Sequence, residues 1–171
     1  MSYGLLLLRV FVGLAFVGHG TQKLFGWFGG YGPQGTGGFF ASKGYRAGVL
    51  MAIAAGLAET GGGTLLALGF LTPLGGALIA LVMINAIASV TFKRAFLWGS
   101  ELELVYLVIG VALAAAGPGR FSLDRALGWD DDISGVWWGI GALGAAVVVS
   151  LLTLTFGRTR QPQAEEAAAQ T

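Results

Sequence analysis

Charged side chains are scarce in this sequence, and their scarcity excludes an ordinary soluble protein. Lys, Arg, Asp and Glu supply only 11% of the 171 residues, whereas hydrophobic residues supply 55%. In soluble domains about a quarter of the residues are charged. This chain has too few charged residues to form the hydrated surface of a soluble protein. The net charge of +1 also excludes the basic footprint of a nucleic-acid-binding protein. We therefore predict an integral membrane protein.

Cysteine is absent and histidine occurs once, which limits the redox chemistry that the chain can carry alone. Without cysteine there is no disulfide, no CxxC redox pair, no thiolate zinc site and no iron–sulfur cluster. A single histidine excludes a haem held by two imidazoles. We predict no metal site and no intrinsic cofactor, so a redox role requires a diffusible carrier or a partner subunit.

Five apolar segments are predicted to cross the membrane as helices. They lie at about residues 3–27, 46–71, 74–92, 101–116 and 136–156. A spanning helix needs about 20 apolar residues, so the fourth segment is short. None of the five shows the period-two alternation of barrel strands. The tight turn at Thr72 and Pro73 predicts that the second and third helices form an antiparallel hairpin.

The connection at residues 29–43 is rich in glycine and is predicted to be a loop. Gly30, Gly32 and Gly35 match the G-x-G-x-x-G pattern formally. The pattern follows a membrane helix, contains Pro33 and lacks a βαβ context, so we reject it as a nucleotide site. We expect a flexible re-entrant or capping loop over the polar groups described below.

Small side chains recur every four residues along the second segment, and they predict a close helix contact. The stripe consists of Gly48, Ala52, Gly56, Thr60 and Thr64. Such stripes let helix backbones approach closely. Packing within one bundle is favoured here over a dimer interface.

Basic residues are distributed unevenly between the predicted helix ends. One side holds Lys43, Arg46, Lys93, Arg94, Arg158 and Arg160, and the other holds Arg120 and Arg125. The excess of Lys and Arg in cytoplasmic loops places the first group and the tail in the cytoplasm.

Polar side chains within the predicted spans form the candidate site. They are Arg9, His19 and Lys23 on the first helix, Glu59 on the second, Asn85 on the third and Glu103 on the fourth. A charge at mid-membrane costs about 2.5–3.5 kcal/mol, so these groups are expected to face a shared interior. Arg9 enters from the other side of the membrane and is predicted to reach toward Glu59. The alternative is a set of ion pairs that only fix helix register.

Glu59 and His19 are the predicted catalytic residues, and Arg9, Lys23, Asn85 and Glu103 are predicted to bind the ligand. Burial of a carboxyl disfavours its charge unless a cation lies beside it, so Glu59 next to a cation is suited to exchange protons with a ligand. His19 can donate and accept near neutral pH, as a quinone carbonyl requires. The alternative for His19 is an imidazole satisfied by a backbone carbonyl or by Glu59.

Three runs of residues together resemble the DoxX family across residues 5–127. They read LLRVFVGLAFVGHGTQKLFGWFGGYG, GLAETGGGTLLALGFLTPLG and ELELVYLVIGVALAAAGPGRFSLDRALG. The resemblance implies a bacterial inner-membrane protein with a four-helix core. It also implies association with membrane oxidoreductase assemblies, including quinone-linked sulfur oxidation and a mycobacterial oxidative-stress complex. Residues that stand at the family's polar and signature positions are Arg9, His19, Lys23, Glu59, Glu103, Gly117, Pro118, Gly119, Ser122 and Asp124.

The region after the fourth helix departs from the family pattern. A fifth apolar segment follows the acidic run at residues 130–132. Within the preceding turn, Arg120 and Asp124 are expected to form an interfacial pair. Ser122 is expected to cap a short helix.

We therefore expect an all-α integral membrane helical bundle, with a four-helix core and one additional C-terminal transmembrane helix. Residues 1–127 would form the DoxX-like domain, residues 128–157 the added helix and residues 158–171 a disordered cytoplasmic tail. The expected function is that of a membrane subunit of a redox complex, quinone-linked or related to oxidative stress. Its expected partners are membrane lipid, a quinone and redox proteins, in the bacterial inner (plasma) membrane.

Two other functions and two further questions stay open at this point. The same buried groups would serve a proton-coupled transporter of a small molecule. The basic loops and tail would serve a scaffold that docks cytoplasmic enzymes on the membrane. Whether the protein is itself an enzyme, and its oligomeric state, are not predicted.

Overall fold

The computed structural model of the chain describes residues 2–91 and 99–159, and these residues fold almost entirely into helices. The helices are α1 (Ser2–Phe25), α2 (Gly32–Ser42), α3 (Gly48–Leu68), α4 (Thr72–Ala86), α5 (Glu101–Ala116), α6 (Leu123–Ala126) and α7 (Val136–Phe156). A 3₁₀ turn, Trp27–Gly29, follows α1, and a π-helical turn, Ile87–Thr91, continues α4. The described residues contain no strand beyond one isolated antiparallel bridge between Tyr45 and Arg158.

Four of the described helices are long and apolar enough to cross a membrane. They are α1 from Tyr3 to Phe25, α3, α4 extended to Ser89, and α7. α5 has 16 residues and is shorter, as the sequence indicates. The predicted class, an all-α membrane bundle, is therefore confirmed.

The helices pack in chain order around the bundle. α1 lies along α3, α3 along α4 and α4 along α5, while α7 packs against the outer side of α4 and α5. α7 is the least buried of the four long spans, in keeping with a helix added to a four-helix core. The start of α1, the end of α3, the start of α4 and the end of α5 lie at one end of the bundle. We call the other end, which carries Lys43, Arg46 and Arg158, the basic end.

Glycine allows a close helix contact between α1 and α3. A methyl group on Gly20 would lie 2.6 Å from the Gly56 carbonyl oxygen, and one on Gly63 would lie 2.5 Å from the Gly13 oxygen. Both distances are shorter than real carbon–oxygen contacts, so these positions need glycine. The small-residue stripe of α3 thus packs within the bundle, where Gly56 and Thr60 contact α1.

The hydrophobic core fills only one half of the bundle. Its fully packed members are Val12, Phe16, Leu66, Ile79, Met83 and Leu113. They come from the middle of α1 and α4 and from the ends of α3 and α5 away from the basic end. The half next to the basic end therefore has room for a cavity.

The glycine-rich connection predicted to be a loop is instead helical over most of its length. α2 runs from Gly32 to Ser42 and holds Pro33 in its first turn, where the missing N–H of proline is tolerated. Gly37 brings α2 against the backbone of Val49 at the start of α3. Tertiary packing thus overrides the low helix propensity of glycine.

The turn before α7 contains one confirmed and one wrong prediction. Ser122 accepts a hydrogen bond from the Arg125 N–H at 3.1 Å and caps α6. Asp124 does not pair with Arg120, which is exposed. Instead the fully buried Asp124 carboxylate accepts from the Leu71 N–H, the Thr72 N–H and the Thr72 hydroxyl at 2.8, 3.1 and 2.9 Å. It therefore caps the first turn of α4, whose N–H groups have no partner within the helix.

The basic residues that the structure describes are separated as the sequence predicts. Lys43, Arg46 and Arg158 meet at the basic end, where the Arg158 guanidinium donates to the Lys43 carbonyl at 2.8 Å. Arg120 and Arg125 lie at the other end. The described residues do not include Lys93, Arg94 or residues 160–171 of the predicted tail, which begin with Arg160.

Candidate functional site

A cavity of about 490 Å³ occupies the half of the bundle next to the basic end. Side chains of α1, α2, α3, α4, α5 and α7 line it. Five of the six predicted site residues are among them, namely His19, Lys23, Glu59, Asn85 and Glu103. The structure thus brings together polar groups from four helices, as expected for groups that face a shared interior, and leaves Arg9 apart.

Lys23 and Glu59 form an ion pair in the wall of this cavity. The Lys23 ammonium lies 2.6 Å from Glu59 Oε2, and the side chains are 22% and 4% exposed. Lys23 follows Gly20 by three residues, and Glu59 follows Gly56 by three, so the pair lies one turn from the closest α1–α3 contact. Side chains tilt toward the N-terminus of their own helix. In these antiparallel helices the two side chains therefore lean toward each other.

Arg9 does not reach Glu59, and that prediction is wrong. Arg9 is 1% exposed, and its guanidinium donates to the Phe121 carbonyl oxygen at 2.5 Å. Arg9 lies level with Gly69 at the end of α3, where a methyl group would overlap the guanidinium. Its side chain tilts toward the start of α1, away from Glu59. The carboxylate that interacts electrostatically with the Arg9 guanidinium is that of Asp124.

His19 is exposed and has a hydrogen bond on one ring nitrogen only. Its Nδ1 lies 3.2 Å from Gln22 Oε1, while the Gln22 amide nitrogen donates to the Phe28 carbonyl oxygen at 3.3 Å. That second bond sets the amide orientation, so Nδ1 is the donor to Oε1. In the neutral ring Nε2 then carries a lone pair, and no partner for it is found within residues 2–91 and 99–159. Neither a backbone carbonyl nor Glu59 satisfies this imidazole.

Asn85 connects the cavity to α7. Its amide nitrogen donates to the Leu81 carbonyl oxygen at 3.0 Å and to Ser150 Oγ at 2.9 Å. Ser150 is almost fully buried, and Val149 and Thr153 of the same helix line the cavity. The helix that departs from the family pattern therefore completes the wall.

Glu103 lies in the first turn of α5 and lines the cavity. Within the part of the chain that the structure describes, its carboxylate has no ion pair and no hydrogen bond. One turn later, Tyr106 packs edge-on against Phe16, with ring centroids 5.0 Å apart. This ring pair lies where the core ends and the cavity begins. Glu103 is thus an acceptor available to a ligand.

Sequence reasoning missed the part of the wall that α2 and its neighbours supply. Phe39, Phe40 and Tyr45 line the cavity, and the Tyr45 hydroxyl lies 2.5 Å from Ser89 Oγ. Tyr45 stands out in the sequence as an interfacial aromatic residue. The two phenylalanines would have been found only by predicting α2 as a helix, and no signal marks Ser89.

The described residues contain no group of three or more His, Cys, Asp or Glu side chains placed to hold a metal ion. The polar groups of the cavity are two carboxylates, two ammonium groups (Lys23 and Lys43), one imidazole, one amide and the hydroxyls of Tyr45, Ser89, Tyr106 and Thr153. With aromatic and aliphatic side chains around them, they suit an uncharged ring with oxygen substituents. Such a ligand would stack on the aromatic residues and exchange hydrogen bonds with the polar ones.

Comparison with known proteins agrees with the resemblance seen in the sequence. The DoxX family model matches residues 4–93, which contain α1 to α4. A protein of Bacillus subtilis (strain 168) named "Putative oxidoreductase CatD" is 36% identical over 121 residues, which are 71% of this chain and 84% of that protein. No solved structure matches the chain. Glu103 on α5 and the whole of α7 lie outside the family match.

Proposed function

Because the chain belongs to the DoxX family, we propose that it is a membrane subunit of a redox complex. It binds a quinone or a similar apolar carrier in the cavity lined by His19, Glu59 and Glu103. The name of the Bacillus subtilis relative supports an oxidoreductase role. The membrane is the bacterial inner membrane, and the electrons pass between the carrier and a partner protein.

The observation that carries this proposal is the composition of the cavity. Small-molecule sites usually enclose about 300–1,000 Å³, mostly with apolar walls and a few polar groups that orient the ligand. The cavity of about 490 Å³ falls in this range, with Phe39, Phe40 and Tyr106 among its aromatic residues. Its polar residues come from different helices, so they meet only in the folded bundle.

His19 is the residue best placed to exchange a proton with such a carrier. Because Nδ1 is bound to Gln22, the neutral ring offers Nε2 as an acceptor to the hydroxyl of a quinol. After taking that proton, the same nitrogen becomes a donor to the carbonyl of the oxidised carrier. Glu103 offers a second acceptor at the start of α5. Lys23 and Glu59 hold each other in place and keep the facing wall polar.

Quinone binding to the purified protein in nanodiscs tests the proposal. Glu59→Gln keeps the shape of the side chain but removes the charge that holds Lys23. We expect it to weaken binding about tenfold, which corresponds to about 1.4 kcal/mol. Glu101→Gln is the matched control, because Glu101 is exposed and lies outside the cavity lining. Equal affinity in all three proteins would remove Glu59 from the site, and a wild type that binds no quinone would overturn the proposal.

A second candidate is a proton-coupled transporter of a small molecule. The Lys23–Glu59 pair inside the cavity favours it, since ionisable pairs between membrane helices serve as proton relays in transporters. Flux measured in proteoliposomes distinguishes the two functions. Transport that follows a proton gradient and needs no electron acceptor would favour the transporter.

A further inference from the structure

The ring of core helices is not closed between α1 and α5. Successive helices from α1 through α3 and α4 to α5 share extended interfaces, whereas α1 and α5 share none of comparable size within residues 2–91 and 99–159. Away from the basic end, core side chains such as Val12 and Leu113 fill the space between the two helices. Toward the basic end the core stops at the Phe16–Tyr106 ring pair. Beyond that pair the space between α1 and α5 belongs to the cavity.

One side chain on each side of this gap lines the cavity and is also exposed. Leu102 of α5 lines the cavity and is 61% exposed. His19 of α1 lines it and is exposed as well. Among the described residues, no hydrogen bond or ion pair joins α1 to α5 at this level. Exposed residues in the cavity lining lie where the cavity opens.

The position of His19 indicates that the opening faces the membrane. His19 lies six residues before the end of α1, or about 9 Å along the helix axis. At that depth a polar ring that faces only acyl chains would be costly. At the edge of an opening, the same ring can meet polar groups of an entering ligand.

We infer that the gap bounded by Phe16, His19, Leu102 and Tyr106 is a lateral portal. Through it an uncharged ring compound dissolved in the bilayer enters the cavity. Three of the four bounding side chains are apolar or aromatic, which suits a ligand that arrives from lipid. His19 is then the first hydrogen-bonding group that the ligand meets. The inference rests on the proposed function for the identity of the ligand but not for the existence of the portal.

The absence of native cysteine allows a direct test with a single thiol. Ala58→Cys places the thiol on α3 in the cavity wall, next to Glu59. The rate of its reaction with N-ethylmaleimide, which is uncharged and enters bilayers, is measured in the full chain reconstituted in nanodiscs. Leu102→Trp, added to this variant, is expected to fill the portal. We expect it to slow labelling about tenfold, or about 1.4 kcal/mol in barrier.

Val105→Trp is the matched control for added bulk. Val105 lies on α5, is 51% exposed and lies outside the cavity lining, so labelling should proceed at the unmodified rate. Equal labelling of every variant in SDS, and equal melting temperatures in detergent, show that the fold is not the cause. If Leu102→Trp does not fold, Leu102→Phe takes its place.

Two results would overturn the portal. Slower labelling with Val149→Trp on α7 but not with Leu102→Trp would place the entrance between α3 and α7. Labelling by a negatively charged methanethiosulfonate as fast as by the maleimide, and unaffected by Leu102→Trp, would show entry from water. Neither measurement needs a quinone. A portal without quinone binding would contradict only the proposed ligand, and quinone binding with unchanged labelling would contradict only the portal.

Discussion

Removing either partner of the Lys23–Glu59 pair should destabilise the protein, and the two losses should differ. Breaking a buried ion pair by removing one partner costs about 3–5 kcal/mol, because the other charge is left without compensation. Lys23→Met leaves Glu59, whose side chain is 4% exposed, as an unpaired carboxylate. The Lys23→Met variant should therefore lose about 3 kcal/mol in free energy of unfolding, near the lower limit of that range. Glu59→Gln leaves the 22% exposed Lys23 ammonium, which water from the cavity can reach, so about 1–2 kcal/mol is expected.

The double variant Lys23→Met with Glu59→Gln measures the coupling energy between the two side chains. Replacing both members of a buried pair is often close to neutral, so the double variant should be more stable than Lys23→Met alone. The assay is reversible unfolding of the purified protein in mixed detergent micelles, with Glu101→Gln as the exposed control within about 0.5 kcal/mol of wild type. Losses of stability that simply add would contradict the ion pair, because contacting residues should couple by about 0.5–3 kcal/mol.

Two further predictions concern the close contacts that position the site. Asp124→Asn removes the carboxylate that caps α4 and interacts with Arg9. We expect the free energy of unfolding in detergent to fall by about 2–3 kcal/mol. Asp132→Asn, at an exposed position, is the control and should leave it unchanged. Gly20→Ala pushes a methyl group into the α3 backbone and should cost about 1–3 kcal/mol, measured in the same assay. Gly18→Ala, which meets open space, should leave the stability unchanged, and equal behaviour of the two glycine variants would contradict the close α1–α3 contact.

The membrane-spanning helices could be predicted from the sequence because their signal is local. Length and hydrophobicity identify a span without knowledge of its neighbours. Depth along a helix is equally predictable, because the rise per residue is constant. Polar groups within such spans are expected to face a shared interior, and the structure places His19, Glu59, Asn85 and Glu103 around one cavity.

The parts that could not be predicted depend on contacts between distant residues. α2 contains four glycines and becomes a helix because Gly37 packs against α3, which no local propensity reports. Arg9 and Lys23 are both cations on α1, and depth alone does not say which one meets Glu59. The tilt of side chains toward the helix N-terminus and the register set by Gly20 and Gly56 decide in favour of Lys23. The two glycines were visible in the sequence, but their pairing was not.

Asp124 shows the same limit at the other end of the bundle. Its nearness in sequence to Arg120 suggested a surface pair. The uncapped first turn of α4, more than fifty residues earlier in the chain, offers three hydrogen-bond donors instead. A buried carboxylate is stabilised far more by several such donors than by one exposed cation.

Quinone binding in the cavity can be seen in a structure of the protein determined in lipid with added quinone. We expect density for the ring inside the cavity, between α1 and α5, with an oxygen within hydrogen-bond distance of His19 Nε2. Density on the outer surface alone, with the cavity closed by repacked side chains, would contradict it.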